Sequence, residues 1–156
     1  MVLNRLKSLF RQPEPTGPSQ VIRSYGISDQ ALTLDALTVE NDAWRIAFDE
    51  ALSVRLFEIE QPNVEQCILT YRARVRTQDA QGAIYLETWC RFPGKGEFFS
   101  KGLQQAVRGT TDWSAHETPF LLKTGQRPDL IKLNVVAEGP GTAWIKGVEL
   151  TRTPLR

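Results

Sequence analysis

Two stretches of the chain alternate apolar with polar side chains and collect, on the polar side, the residue types that recognise a polar ligand. In 67–76, Cys67, Leu69, Tyr71, Ala73 and Val75 fall on one side, and Ile68, Thr70, Arg72, Arg74 and Arg76 on the other. In 84–92, Ile84, Leu86, Thr88, Cys90 and Phe92 alternate with Tyr85, Glu87, Trp89 and Arg91. A period of two is the pattern of a half-buried strand, so the first set in each is read as core and the second as surface. An outward tryptophan is costly unless something covers it. Two readings stand. Arg72, Arg74, Tyr85, Glu87, Trp89 and Arg91 form a binding face, with a ring stacking on a flat apolar ligand surface and guanidinium groups bonding hydroxyls or carboxylates. Alternatively, Trp89 lies under the loop at 93–102 and the arginines are an ordinary solvated face.

Catalytic chemistry finds less support. Glycoside hydrolysis needs two carboxylates about 5 to 10 Å apart, yet Glu87 is the one carboxylate that alternation places on this face. Glu97, Asp112, Glu117, Glu138 and Glu149 are scattered over other strands and turns. His116, the sole histidine, has Ser114 nearby but no nucleophile setting. Gly139-Pro140-Gly141 lacks the strand-then-helix context of a phosphate loop. Cys67 and Cys90 have no metal-ligand spacing around them and are read as packed thiols. The expectation is a non-enzyme with no cofactor and no metal.

The elements that position these residues are strands almost throughout. Turn-forming residues divide 20–156 into candidate strands at 21–25, 32–39, 44–48, 53–59, 67–76, 84–92, 97–100, 113–121, 130–138 and 142–150, with no internal helix. Asn41-Asp42, 78–82 and 138–141 read as hairpin connections. The second of these pairs 67–76 with 84–92, setting Arg72 and Arg74 across from Tyr85 and Glu87 and bringing Cys67 near Cys90. Antiparallel strands without crossovers predict an all-β, two-sheet jelly-roll sandwich.

Residues 1–19 are read as a separate appendage. Val2, Leu3, Leu6, Leu9 and Phe10 recur at helical spacing among Arg5, Lys7 and Arg11, which predicts a short amphipathic helix over 2–11. Pro13, Pro15 and Pro18 make 12–19 a linker. Such a helix either docks on a membrane surface or partner protein, or packs on its own domain.

The 156 residues carry 19 Lys and Arg against 18 Asp and Glu, a net charge of +1, which supplies no field for nucleic acid. With 41% hydrophobic residues, a chain of this length buries about two-thirds of its unfolded surface and needs neither metal nor disulfide. Two cysteines and no secretory apolar segment suggest the cytoplasm.

The stretch from about 84 to 150 resembles the galactose-binding-like jelly rolls, which include carbohydrate-binding modules and small bacterial domains. The resemblance rests on Trp89 and Arg91, Gly109-Thr110-Thr111-Asp112-Trp113, Pro119-Phe120, the strand at 131–136, and Gly141-Thr142-Ala143-Trp144-Ile145 with Val148 and Leu150. Gly109 permits a turn, Asp112 caps it and Trp113 enters the next strand as a core anchor. Lys146-Gly147 replaces the acidic residues that relatives carry before the final valine, so no calcium site is expected. Together these readings imply a non-catalytic module for a carbohydrate-like or other polar ligand. The alternative is an intracellular interaction or assembly factor anchored by its N-terminal helix.

Overall fold

The computed structural model describes residues 14–33 and 35–156. The helix expected at 2–11 lies outside them. Of the linker, Pro15 bridges to Leu155 and the Thr16 N–H donates to the Pro154 carbonyl at 2.9 Å, so this segment runs antiparallel along the C-terminus.

Nine strands follow: β1 (Gln20–Tyr25), β2 (Leu37–Glu40), β3 (Ala43–Phe48), β4 (Leu52–Glu60), β5 (Cys67–Phe92), β6 (Gly96–Lys101), β7 (Val107–Leu122), β8 (Leu130–Ala137) and β9 (Gly141–Pro154). Among the described residues the helical structure is one 3-10 turn, Leu103–Gln105. The strands form an antiparallel jelly-roll sandwich, as the alternation predicts.

β5 organises the sandwich. Along one edge it pairs with β7 and then β6; along the other it pairs with β9 and then β8. Its first half therefore lies with β7 and β9 in one layer, which β1, β3 and β2 extend. Its second half lies with β6 and β8 in the other layer, which β4 extends. The apolar sides of both halves enter one core, where Leu69, Tyr71, Val75, Ile84, Leu86 and Cys90 are buried together with Leu133, Ile145 and Leu150.

Two of the three expected hairpins are absent. The segments at 78–82 and 138–141 bend the chain without reversing it, and pairing continues on both sides. The reason is a close contact between the two bends. A Cβ on Gly82 would stand 2.6 Å from the Glu138 carbonyl carbon, and one on Gly141 would stand 2.6 Å from the Ala80 Cα. The Gln81 N–H donates to the Pro140 carbonyl at 2.8 Å, and the Glu138 N–H to the Ala83 carbonyl at 2.9 Å. The glycines thus serve a close lateral approach of two backbones rather than tight turns. Asn41-Asp42 does reverse the chain: φ is 50° and 64°, the left-handed pair of a two-residue hairpin. The strand expected at 32–39 is reduced to β2. Leu32 instead donates its N–H to the Leu56 carbonyl at the edge of β4.

Cys67 and Cys90 are buried free thiols on opposite halves of β5. Burial first, and then Cys67, push the Cys90 pKa up to about 12, so this thiol is inert at neutral pH.

Substituting Gly82→Ala or Gly141→Ala should lower unfolding free energy by about 2 kcal/mol, because backbone atoms on both sides must move. Gly26→Ala, which meets nothing within 4 Å, should stay within about 0.5 kcal/mol. Equal urea midpoints for all three variants would contradict the close backbone approach as the constraint.

Candidate functional site

The bend divides the residues expected to form one face. Arg72 and Arg74 lie on the outer surface of the first layer, whereas Tyr85, Glu87, Trp89 and Arg91 lie on the outer surface of the second. Arg72 and Arg74 are therefore not across from Tyr85 and Glu87; their strand partners lie in β7 and β9. Alternation gives the outward side correctly in both halves, but the hairpin assumed to join them is a bend.

On the second layer, strand register builds rows. Glu58, Lys132, Trp89 and Phe99 are consecutive cross-strand partners, and so are Arg55, Asn134, Glu87 and Lys101. Trp89 is half-buried, its ring centroid 5.0 Å from that of Phe99, which is 53% exposed. The Trp89 indole N–H donates to Glu87 Oε1 at 2.6 Å, and Asn134 Nδ2 donates to the same oxygen at 3.0 Å. Glu87 and Asn134 are buried, yet both point outward from the sheet. Two neutral donors offset the desolvation of the carboxylate and fix the indole orientation. Asn134 Oδ1 is buried without a partner among the described residues. Tyr85 is also buried on this side; desolvation first, and then the Glu138 and Glu87 carboxylates, raise its pKa.

Arg91 is at the rim. It donates through Nε and a terminal nitrogen to both Asp129 oxygens, at 2.9 and 3.2 Å. This fork holds the Asp129 carboxyl below its usual range and occupies the guanidinium. The loop suggested as a cover for Trp89 is largely β6, and it contributes Phe99 beside the indole. Phe99, Asn134, Lys132 and Arg55 were missed in the sequence because their membership depends on which strands flank β5. The outward positions of 131–136 were readable in the alternation, but their neighbours were not.

The first layer carries a different set. The Arg76 guanidinium stands 4.2 Å from the Trp144 ring centroid, with Arg45 at 6.0 Å, and Lys146 Nζ stands 4.1 Å from the Trp113 ring. Trp113 is therefore an outer residue beneath a lysine, not the expected core anchor. Gly109 does have a positive φ, 71°, and Asp112 Oδ1 accepts the Trp113 N–H at 2.7 Å. Arg72 pairs with Glu117 at 3.4 Å and Glu149 at 3.9 Å.

No protein-family model and no curated protein matches the sequence. Solved structures do match in fold. The CBM22-1 xylan-binding domain from Paenibacillus barcinonensis superposes with a TM-score of 0.55 at 7% identity, over 90% of this chain and 99% of that one. A CBM4 structure gives 0.55 at 13% identity, over 83% and 78%. A CBM29-2 variant complexed with cellulohexaose gives 0.51 at 11% identity, over 88% and 92%. The chain has the β-sandwich fold of carbohydrate-binding modules. That agrees with the resemblance seen in the sequence.

His116 is buried and hydrogen-bonded to Ser114 at 3.0 Å, without a carboxylate partner among the described residues. Burial lowers its pKa below the ordinary 6.5. The unfolded chain therefore binds the proton more tightly, and this residue's contribution is present above about pH 6.5 and lost as pH falls through the folded-state value. His116→Gln should flatten the decline in stability from pH 7 to 5, where one proton accounts for at most about 1.4 kcal/mol per pH unit. An unchanged slope in thermal melts across that range would assign the acid loss to other groups.

Proposed function

We propose that the protein is a non-catalytic carbohydrate-binding module that holds its ligand on the outer face of the second layer. The observation that carries this reading is the Trp89–Phe99 ring pair beside the outward Glu87–Asn134 pair. Together they present an apolar surface for a sugar ring next to fixed polar groups for its hydroxyls. The rings are held by packing and by the indole hydrogen bond, so a ligand meets a preorganised surface and little side-chain freedom is lost on binding. Solved structures of the same fold give support in kind, since one is described as a xylan-binding domain and another is complexed with cellulohexaose. The ligand class inferred is a neutral polysaccharide, with Trp89 and Phe99 as stacking residues and Glu87, Asn134 and Tyr85 as the polar floor.

The carboxylates around this face support binding without catalysis. Glu58 is paired with Arg55 at 2.9 Å, Glu97 with Lys132, and Asp129 with Arg91. Glu97 and Asp129 have lowered pKa values, Glu97 through its bond to Lys132 and Asp129 through Arg91. A glycosidase acid must instead stay protonated near neutral pH.

Calorimetric titration with xylohexaose and cellohexaose tests the reading. Wild type should bind at least one of them, and Trp89→Ala or Phe99→Ala should weaken that binding about tenfold or more with the melting transition retained. Absence of binding to both sugars, or equal affinity in the Trp89 variant, would remove the proposed face.

A further inference from the structure

The outer face of the first layer places like charges together. Arg74 and Lys146 are direct cross-strand partners. Arg76 is the next outward residue along β5, and Arg45 flanks the same Trp144 ring from β3. Like charges directly opposite each other in a sheet destabilise it. Among the described residues, Arg74, Arg76 and Lys146 have no carboxylate within ion-pair distance; the nearby acids Glu117 and Glu149 are taken by Arg72.

Two further observations point to a ligand. Trp144 is 6% exposed, and its buried indole N–H has no acceptor among the described residues. Two surface hollows flank the charged row. One, of about 310 Å³, is lined by Arg72, Arg74, Gln105 and Glu117; the other, of about 280 Å³, by Arg76, Gln78, Thr110, Thr111 and Asp112, whose Oδ1 is taken by the Trp113 N–H.

We propose that this face is a second binding site, for an anionic polysaccharide whose carboxylate or sulfate groups sit among Arg74, Arg76 and Lys146; Arg45, beside them, is paired with Glu40 at 3.7 Å. Strand geometry spaces the backbone positions that carry these cations about 4.8 Å apart across strands and about 6.8 Å along one, a grid on the scale of single sugar rings. Stacking on Trp144 and Trp113 restrains Arg76 and Lys146, which lowers the entropy lost when an anion is bound. Nucleic acid fits less well. Both tryptophans already carry a cation over the ring, leaving no free platform for bases, and the surrounding acids hold the whole chain at +1.

The proposal is independent of the neutral-sugar face, and its test uses other probes and residues. Calorimetry in dilute buffer would compare polygalacturonate, dextran sulfate, neutral dextran and a single-stranded oligonucleotide. Polygalacturonate or dextran sulfate should bind, and whichever binds identifies the anionic group. The Arg74→Gln, Arg76→Gln double variant should weaken that binding about tenfold or more, and Trp89→Ala should leave it unchanged. Because Arg74 makes no ion pair, Arg74→Gln alone should keep or raise the melting temperature, so loss of binding would not reflect unfolding. Equal affinity in the double variant, binding of neutral dextran at comparable strength, tighter binding of the oligonucleotide, or no binding of either polyanion would each overturn the proposal.

Discussion

The close side-by-side approach of 78–82 to 138–141 sets everything else in this structure. It allows a 26-residue strand to serve two layers while keeping a partner on each edge. A glycine in an extended strand costs about 0.5 to 1 kcal/mol relative to alanine. At Gly82 and Gly141 that cost is offset by the continued ladders, since a side chain at either position would separate the bends. Once the ribbon bends there, the apolar sides of its two halves must close on each other. The outward sides then become two independent surfaces facing away from one another.

Those surfaces solve the same electrostatic problem in opposite ways. On the second layer most charged groups find a partner, in the same strand, a flanking loop or the strand beyond β5, and Lys101 Nζ stands 5.0 Å from the Phe99 ring centroid. Glu87 takes two neutral donors, while Arg55, Arg91 and Lys132 each meet a carboxylate. A carboxylate as deep as Glu87 would cost several kcal/mol if left unbonded, so its donors are held firmly, and with them the angle of the Trp89 ring. The first layer leaves part of its charge uncompensated. Aromatic rings stand beneath Arg76 and Lys146 where carboxylates could have stood, and a cation over a ring gains about 0.5 to 2 kcal/mol while keeping its full charge available to solvent or ligand.

The local phase of alternation was legible in the sequence; the partnership between strands was not. Val75 and Leu86 are buried and Arg74 and Arg91 exposed, as a period of two requires. The same pattern could not distinguish a reversal from a bend. Gln78-Asp79-Ala80-Gln81-Gly82 has the composition of a hairpin loop, and Asp79 does adopt a positive φ of 53°. Whether such a segment turns back depends on what lies beside it, here the Glu138–Gly139 backbone some fifty residues onward. Asn41-Asp42 succeeded because a two-residue hairpin is specified by its own dihedral angles. The candidate face was therefore half legible: Tyr85, Glu87 and Trp89 share one short strand segment, but Phe99 and Asn134 join them only through pairing.

The tryptophans show why residue type alone does not locate a ligand. Trp44, Trp89, Trp113 and Trp144 are chemically identical, yet Trp44 meets Phe57 edge-on at 5.5 Å inside the core. Trp113 and Trp144 use a ring face to hold a cation, which consumes the electron-rich surface that a sugar would otherwise meet. Trp89 spends its N–H on Glu87 and leans on Phe99 at a 49° tilt; among the described residues no cation stands over the indole, while Lys101 Nζ lies 5.0 Å from the Phe99 ring centroid. The neighbours across the strands thus decide whether an indole is filler, a support for charge or a surface for stacking. The proposed neutral-ligand face thus lies on the layer where most charges are paired, and the proposed anion-binding face on the layer where Arg74, Arg76 and Lys146 meet no carboxylate among the described residues.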